Sequence, residues 1–159
     1  MVMIAHRITS KEGLEQIRAR YQAQEKNLKY RLYVCAGAGC ISSGCHAVRD
    51  ALVAALREAD LYDRVAIYET GCIGTCDLGP SLVVQPDDVF YTKLKPEDMA
   101  KIVATHLQGG RIVEPLCYYD REKEERVRHL SDIEYFKRQV RLVTARCGSM
   151  PYNLSLIHI

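Results

Sequence analysis

The 159-residue sequence has no apolar run approaching 18 residues, so nothing in it reads as a membrane-spanning helix. It also lacks any block of basic charge. Its 22 Lys and Arg are interspersed with 20 Asp and Glu, for a net charge of +2. A nucleic-acid-binding face needs clustered positive charge, so this pattern argues against such a partner. The opening residues, MVMIAHRITS, hold only a short apolar stretch and no small-residue cleavage site, and they do not read as a signal peptide. A cytoplasmic setting with reduced thiols is therefore expected. There is no internal repeat. No two cysteines stand in the C-x-x-C spacing, which excludes a thioredoxin-type dithiol.

What the sequence does have is cysteine, seven of them in a chain of ordinary globular composition, 48% hydrophobic and 26% charged. An odd count in a reducing compartment favours metal or redox chemistry over structural disulfides. Two stretches concentrate them, CAGAGC at Cys35–Cys40 and GCIGTC at Gly71–Cys76, and both are rich in glycine.

The pattern around these stretches places them. SKEGLEQIRARYQAQEK (Ser10–Lys26) reads as a helix capped by Ser10, with Leu14, Ile17 and Tyr21 on one stripe. A strand, YRLYV, runs into Cys35, and a helix begins near Cys45–His46 with Val48, Leu52 and Leu56 on its inner side. RVAIYET forms a second strand that stops at Gly71. SLVVQ and VFYTK form a hairpin around PDD, and KPEDMAKIVATHLQGG carries the start and stop signals of a closing helix. The order is β-α-β-β-β-α, an α/β class with a mixed sheet. The helix between the first two strands makes them parallel by a right-handed crossover. Both cysteine pairs then leave the carboxyl ends of neighbouring strands, where α/β sheets bind ligands.

Beyond Pro115 the character changes. DREKEERVRH has eight charged residues in ten, with Glu122–Arg126 and Glu124–Arg128 at helical spacing, and it reads as a solvated helix or linker. VRLVTA, further on, reads as a strand. The last six residues, LSLIHI, match the in-frame translation of a transposase adapter end used in sequencing libraries. They are expected to carry no structural information.

Four thiolates suit a tetrahedral zinc site or a [2Fe–2S] cluster, in which each iron takes two protein sulfurs and two bridging sulfides. Glycines favour the cluster, because Gly37, Gly39, Gly71 and Gly74 let the backbone bend close to a bulky anionic centre and present N–H groups to it. A zinc-binding structural or docking module with the same cysteines is the alternative. A thiol-exchange protein is a third reading, and it would need a reactive low-pKa thiol.

CAGAGCISSG, followed by ETGCIGTCDLGPSLVVQPDDVFYTKLKPEDMAKIVATHLQGGRIVEPL, resembles the thioredoxin-like [2Fe–2S] domain at the N-terminus of the NADH-binding flavoprotein subunit of NAD(P)-linked and electron-bifurcating hydrogenases. Similar domains occur in respiratory complex I and in some NAD-dependent formate dehydrogenases. The resemblance implies a thioredoxin-like sandwich and one cluster held by Cys35, Cys40, Cys72 and Cys76. It further implies an electron-transfer role beside the other subunits of a multi-subunit NADH-linked redox complex, cytoplasmic or peripheral to a membrane-bound assembly. YFKRQVRLVTARCG resembles the start of the FMN- and NADH-binding domain of the same subunits. The glycine-rich loops for FMN and NAD(H), and the further iron–sulfur cysteines, would lie downstream of this chain. It holds no complete catalytic site, although the parent subunit would be an NAD(P)H-dependent oxidoreductase. The implied organisation is an N-terminal helix (1–29), the cluster domain (30–117), a charged linker (118–134), the beginning of a flavoprotein domain (135–153) and the adapter-like tail (154–159).

Other candidates read as structural. Cys40 and Cys45 repeat the spacing of Cys35 and Cys40, but the resemblance selects the earlier pair, leaving Cys45 as a small, partly buried side chain. Cys117 and Cys147 read as packing thiols, and His46 as a bystander to four suitable cysteines. His106 reads as a surface or capping residue. Asp77, beside Cys76, would lower a cluster's potential but also suits a turn.

Overall fold

A computed structural model describes residues 10–143, 145 and 147. The opening nine residues, the adapter-like tail and most of the flavoprotein-like segment beyond Arg146 lie outside them. α1 (Lys11–Lys26) starts where Ser10 Oγ accepts the Gly13 N–H at 3.1 Å. Of its expected stripe, Leu14 and Ile17 are exposed, and the Tyr21 side chain lies outside what the structure describes.

β1 (Tyr30–Cys35) is followed by a short helix, α2 (Ala38–Ser42), and then by α3 (Cys45–Glu58). β2 (Val65–Thr70), β3 (Leu82–Gln85) and β4 (Val89–Tyr91) complete a sheet of order β2-β1-β3-β4. β1 and β2 are parallel, with Tyr30 opposite Val65 and Cys35 opposite Thr70. β1–β3 and β3–β4 are antiparallel. The expected mixed sheet is present, and its central strands are buried along nearly their whole length.

The closing helix is α4 (Asp98–Ile102), which runs on through a wider π-helical turn, Val103–Gln108. Val48, Leu52 and Leu56 of α3 and Met99, Ile102, Val103 and Leu107 of the closing helix are all buried in one core with Leu32, Val34, Leu82 and Val84. Burying side chains of this size stabilises the fold by about 1.5–3 kcal/mol each.

His106 departs from its sequence reading. It is 1% exposed, not a surface residue. The reason was present in the pattern: residues 99, 102, 103, 106 and 107 follow the i, i+3, i+4, i+7, i+8 spacing of one helical face. Its Nδ1 meets the Tyr91 hydroxyl at 2.9 Å and its Nε2 meets Asp87 Oδ2 at 3.0 Å. The Tyr91 hydroxyl also accepts the Val113 N–H at 3.1 Å, and burial pushes its own ionisation well upward. The Tyr91 hydroxyl therefore donates to Nδ1, and Nε2–H donates to the carboxylate. Sheet, closing helix and the segment after it are pinned at one buried point.

The charged stretch after Pro115 is not helical. β5 (Tyr118–Asp120) and β6 (Glu125–Val127) form an antiparallel hairpin. Asp120 Oδ1 accepts the N–H groups of Glu122 and Lys123, a local turn that competes with helix formation. The helical ion pairs give way to other contacts: Arg126 Nη1 donates a hydrogen bond to the Cys117 carbonyl at 2.7 Å, and Arg128 forms an ion pair with Glu114. Single bridges join Tyr91 to Cys117 and Val89 to His129, so this segment covers the outer edge of β4. VRLVTA does not form the expected strand over its described residues. Val140, Leu142 and Val143 are 84–100% exposed and find no sheet edge to pair with.

Replacing Tyr91 with Phe leaves the Val113 N–H and His106 Nδ1 buried without their partner. The expected loss is about 2–4 kcal/mol in urea unfolding, with an unchanged m value. Tyr119→Phe, at an exposed ring, is expected to change stability by less than about 0.5 kcal/mol.

Candidate metal centre

Both cysteine loops leave the same end of the sheet because β1 and β2 run parallel and in step. Cys35 is the last residue of β1, and the Ala36 N–H donates to the Thr70 carbonyl at 2.9 Å, tying the two exits together. α2 then turns Cys40 inward, to 2% exposure, and Cys35 is similarly buried. Cys72 and Cys76 lie on the outer loop and are exposed.

Glycine allows the two loops to interlock. A methyl group on Gly37 would stand 3.0 Å from Cys72 Cβ and 3.3 Å from its sulfur; one on Gly39 would stand 3.2 Å from Cys76 Cβ and 3.3 Å from its sulfur. The glycines of the first loop are thus seated against the cysteines of the second. A third glycine, Gly79, closes the other side, where a Cβ would come within 2.7 Å of Cys40 Sγ. Gly74 is needed for another reason, its φ of +98°, and its N–H donates to Cys72 Sγ at 3.3 Å. Gly71, by contrast, is not tightly constrained, since its nearest neighbour would be Cys147 Sγ at 3.5 Å.

The thiols interact as two pairs. Burial, then a hydrogen bond to Cys35, pushes Cys40 up to about 12. The hydrogen bond between Cys72 and Cys76 raises Cys76, with further contributions from the charges of Cys72, Cys35 and Asp77. Cys35 is therefore felt from the second pair, so all four belong to one electrostatic neighbourhood. Four thiolates could not coexist there without a compensating cation, and a metal supplies one while deprotonating its ligands.

Ser81 completes the pocket, and the sequence reading passed over it. Its hydroxyl is buried and has no hydrogen-bond partner among the described residues, an arrangement that ordinarily costs about 1–3 kcal/mol. The Cys35 N–H donates to the Ser81 carbonyl at 3.1 Å, and the Ser81 N–H faces the Cys40 sulfur. Nothing in the sequence distinguishes this serine from any strand-leading polar residue. An orphaned hydroxyl on the residue paired with Cys35 would suit a cluster bearing acceptor sulfurs.

The remaining candidates fall outside this set. Cys45, expected to be partly buried, is 1% exposed at the start of α3, and its thiol is raised by burial and by the charge of Cys35. Cys117 packs in the core with its thiol pushed up to about 11, chiefly by burial. His46 is exposed, and His106 is engaged with Tyr91 and Asp87. Cys147, expected to be buried, is half-buried against Gly71. Arg141 was also passed over. Its Nη2 donates to the Ile73 carbonyl at 2.8 Å, and its guanidinium lies 4.9 Å from the Phe136 ring centre, so the C-terminal segment clasps the second cysteine loop.

In the metal-free protein at pH 8, alkylation is expected to reach the exposed Cys72 and Cys76 first, with Cys40 and Cys117 slower by roughly tenfold or more. Peptide mapping by mass spectrometry reads the order, and rapid labelling of Cys40 would contradict the geometry.

Residues 17–107 match the family model described as thioredoxin-like [2Fe-2S] ferredoxin. The chain is 40% identical over 78 residues to a ferredoxin, 2Fe-2S, of Aquifex aeolicus (strain VF5), covering 48% of this chain and 70% of that protein. It is 30% identical over 98 residues to a ferredoxin, 2Fe-2S, of Clostridium pasteurianum, covering 57% and 96%. It is also 34% identical over 85 residues to the NAD-reducing hydrogenase HoxS subunit alpha of Cupriavidus necator, covering 51% of this chain but 14% of that subunit. A solved structure of the thioredoxin-like [2Fe-2S] ferredoxin from Aquifex aeolicus superposes with a TM-score of 0.52 at 34% identity, over 56% of this chain and 89% of that one. With the interlocked cysteine loops and these likenesses, the chain carries a [2Fe–2S] electron-transfer domain and belongs to the thioredoxin-like [2Fe-2S] ferredoxin family.

Proposed function

We propose that Cys35, Cys40, Cys72 and Cys76 hold one [2Fe–2S] cluster, and that the chain passes single electrons between flavin and iron–sulfur centres as a module of an NADH-binding oxidoreductase subunit. The observation that carries the ligand assignment is the interlock, with Gly37 against Cys72, Gly39 against Cys76 and Gly79 against Cys40. Two thiol pairs suit a two-iron centre, in which each iron would take two protein sulfurs.

When bound, the cluster supplies a one-electron carrier. The protein's part is to hold and orient it. The buried pair, Cys35 and Cys40, anchors one side, while the exposed pair, Cys72 and Cys76, presents the other toward solvent and partners. The N–H groups of Gly74 and Ser81 point at thiol sulfurs and offset part of the negative charge. All-cysteine ligation favours a low potential, on the order of −400 mV, which suits exchange with reduced flavin.

The wider assignment draws on the likeness to the HoxS subunit alpha, of which this chain spans 14%, and on the resemblance of residues 135–153 to the start of a flavoprotein domain. On this reading its partners are the other subunits of an NADH-linked complex, with hydrogenase, formate dehydrogenase and NADH:quinone types sharing the module. No helix among the described residues is long and apolar enough to cross a membrane.

The whole chain, purified anaerobically after cluster reconstitution, is expected to be brown, with about two irons and two sulfides per chain. Cys72→Ser is expected to lose most of that content. A colourless protein with one tightly bound zinc would overturn the reading in favour of a structural module.

A further inference from the structure

We propose that the Ser81 hydroxyl is a hydrogen-bond donor to a sulfur on the Cys35–Cys40 side of the cluster, and that it holds the reduced form in favour. The inference rests on the cluster assignment above and adds a positioning residue to it.

Three observations converge on Ser81. The first is register. In the β1–β3 pairing Arg31 faces Gln85 and Val34 faces Leu82, so one further step sets Cys35 opposite Ser81. The Cys35 N–H to Ser81 carbonyl bond, at 3.1 Å, shows that the pairing continues. Directly opposed residues project their side chains from the same face of an antiparallel pair, with Cβ atoms about 5 Å apart. The Ser81 hydroxyl therefore stands on the side of the sheet that carries the Cys35 sulfur.

The second is the backbone. The Ser81 N–H faces the Cys40 sulfur, so the residue already addresses both members of the inner pair with its main chain. The third is the hydroxyl itself. It is buried, the residue being 1% exposed, and it has no hydrogen-bond partner among the described residues. Buried hydroxyls are normally paired. Here the register sets the hydroxyl on the face that carries the Cys35 sulfur, and sulfur becomes a strong acceptor only as a thiolate or sulfide carrying the charge of a bound cluster.

Reduction adds one electron to that charge, so a donor hydrogen bond strengthens in the reduced state and raises the potential. Removing it should lower the potential. In the metal-free fold the same hydroxyl is an unsatisfied group, and removing it should not weaken the protein. The two effects have opposite signs, which an ordinary packing role would not produce.

The experiment compares the full-length wild type with Ser81→Ala and Ser81→Thr. In the metal-free state, the thermal midpoint of Ser81→Ala is expected to equal or exceed that of the wild type. In the reconstituted state its midpoint potential is expected to fall, while Ser81→Thr, which keeps the hydroxyl, stays near the wild type. Transfer of the wild type into D2O is expected to shift the iron–sulfur stretching bands in the resonance Raman spectrum, and that shift should shrink in Ser81→Ala. Full iron and sulfide content in Ser81→Ala, with an unchanged potential and an unchanged D2O shift, would overturn the inference and leave the cluster assignment intact. A wild-type chain that takes up no iron and sulfide would instead overturn the assignment itself.

Discussion

The parallel pairing of β1 with β2 is the constraint on which the site depends. Because Cys35 and Thr70 end their strands side by side, two loops distant in sequence leave the sheet at one place. Had the second strand paired antiparallel, the two cysteine pairs would stand at opposite ends of the sheet. The α3 crossover makes the parallel arrangement possible, and its buried stripe of Val48, Leu52 and Leu56 ties that crossover to the core. Close approach then depends on what is missing from the loops. Without side chains at Gly37, Gly39 and Gly79, backbone can lie directly against the thiols of the opposite loop.

Gathering thiols in this way is electrostatically unfavourable until a cation arrives. Cys40 and Cys76 both have raised pKa values, the first mainly through burial and the second mainly through its hydrogen bond with Cys72. Metal binding must expel those protons, so cluster assembly is coupled to pH and favoured as pH rises toward the thiol range. The protein balances the resulting negative charge with dipoles. The N–H groups of Gly74 and Ser81 are aimed at sulfur, and the Arg141 guanidinium is moored to the Ile73 carbonyl of the exposed loop. Asp77 works against them, adjoining Cys76 and raising its pKa.

Much of this was legible in the sequence, for identifiable reasons. The order of elements followed from apolar runs bounded by glycine and proline, and the crossover from the α3 periodicity. The cysteine spacing and the glycines around it pointed to the metal-binding end. The features that were not legible are set by tertiary contact. The burial of His106 was visible as spacing, but its partners Tyr91 and Asp87 come from the hairpin. The charged segment satisfied a helical charge pattern, yet the Asp120 turn and the open edge of β4 drew it into a hairpin. Ser81 gave no signal of its own, because its significance lies in the register that sets it opposite Cys35. Arg141 was hidden for the same reason, since its contact with Ile73 spans 68 residues of sequence.

The central claim, that two interlocked loops hold one two-iron centre, is tested most directly by electron paramagnetic resonance of the reconstituted full chain after reduction with dithionite. A [2Fe–2S] centre couples its irons, and the account predicts a signal from about one unpaired electron per two irons. A spectrum from uncoupled mononuclear iron, or no reducible centre in a chain loaded with metal, would contradict it.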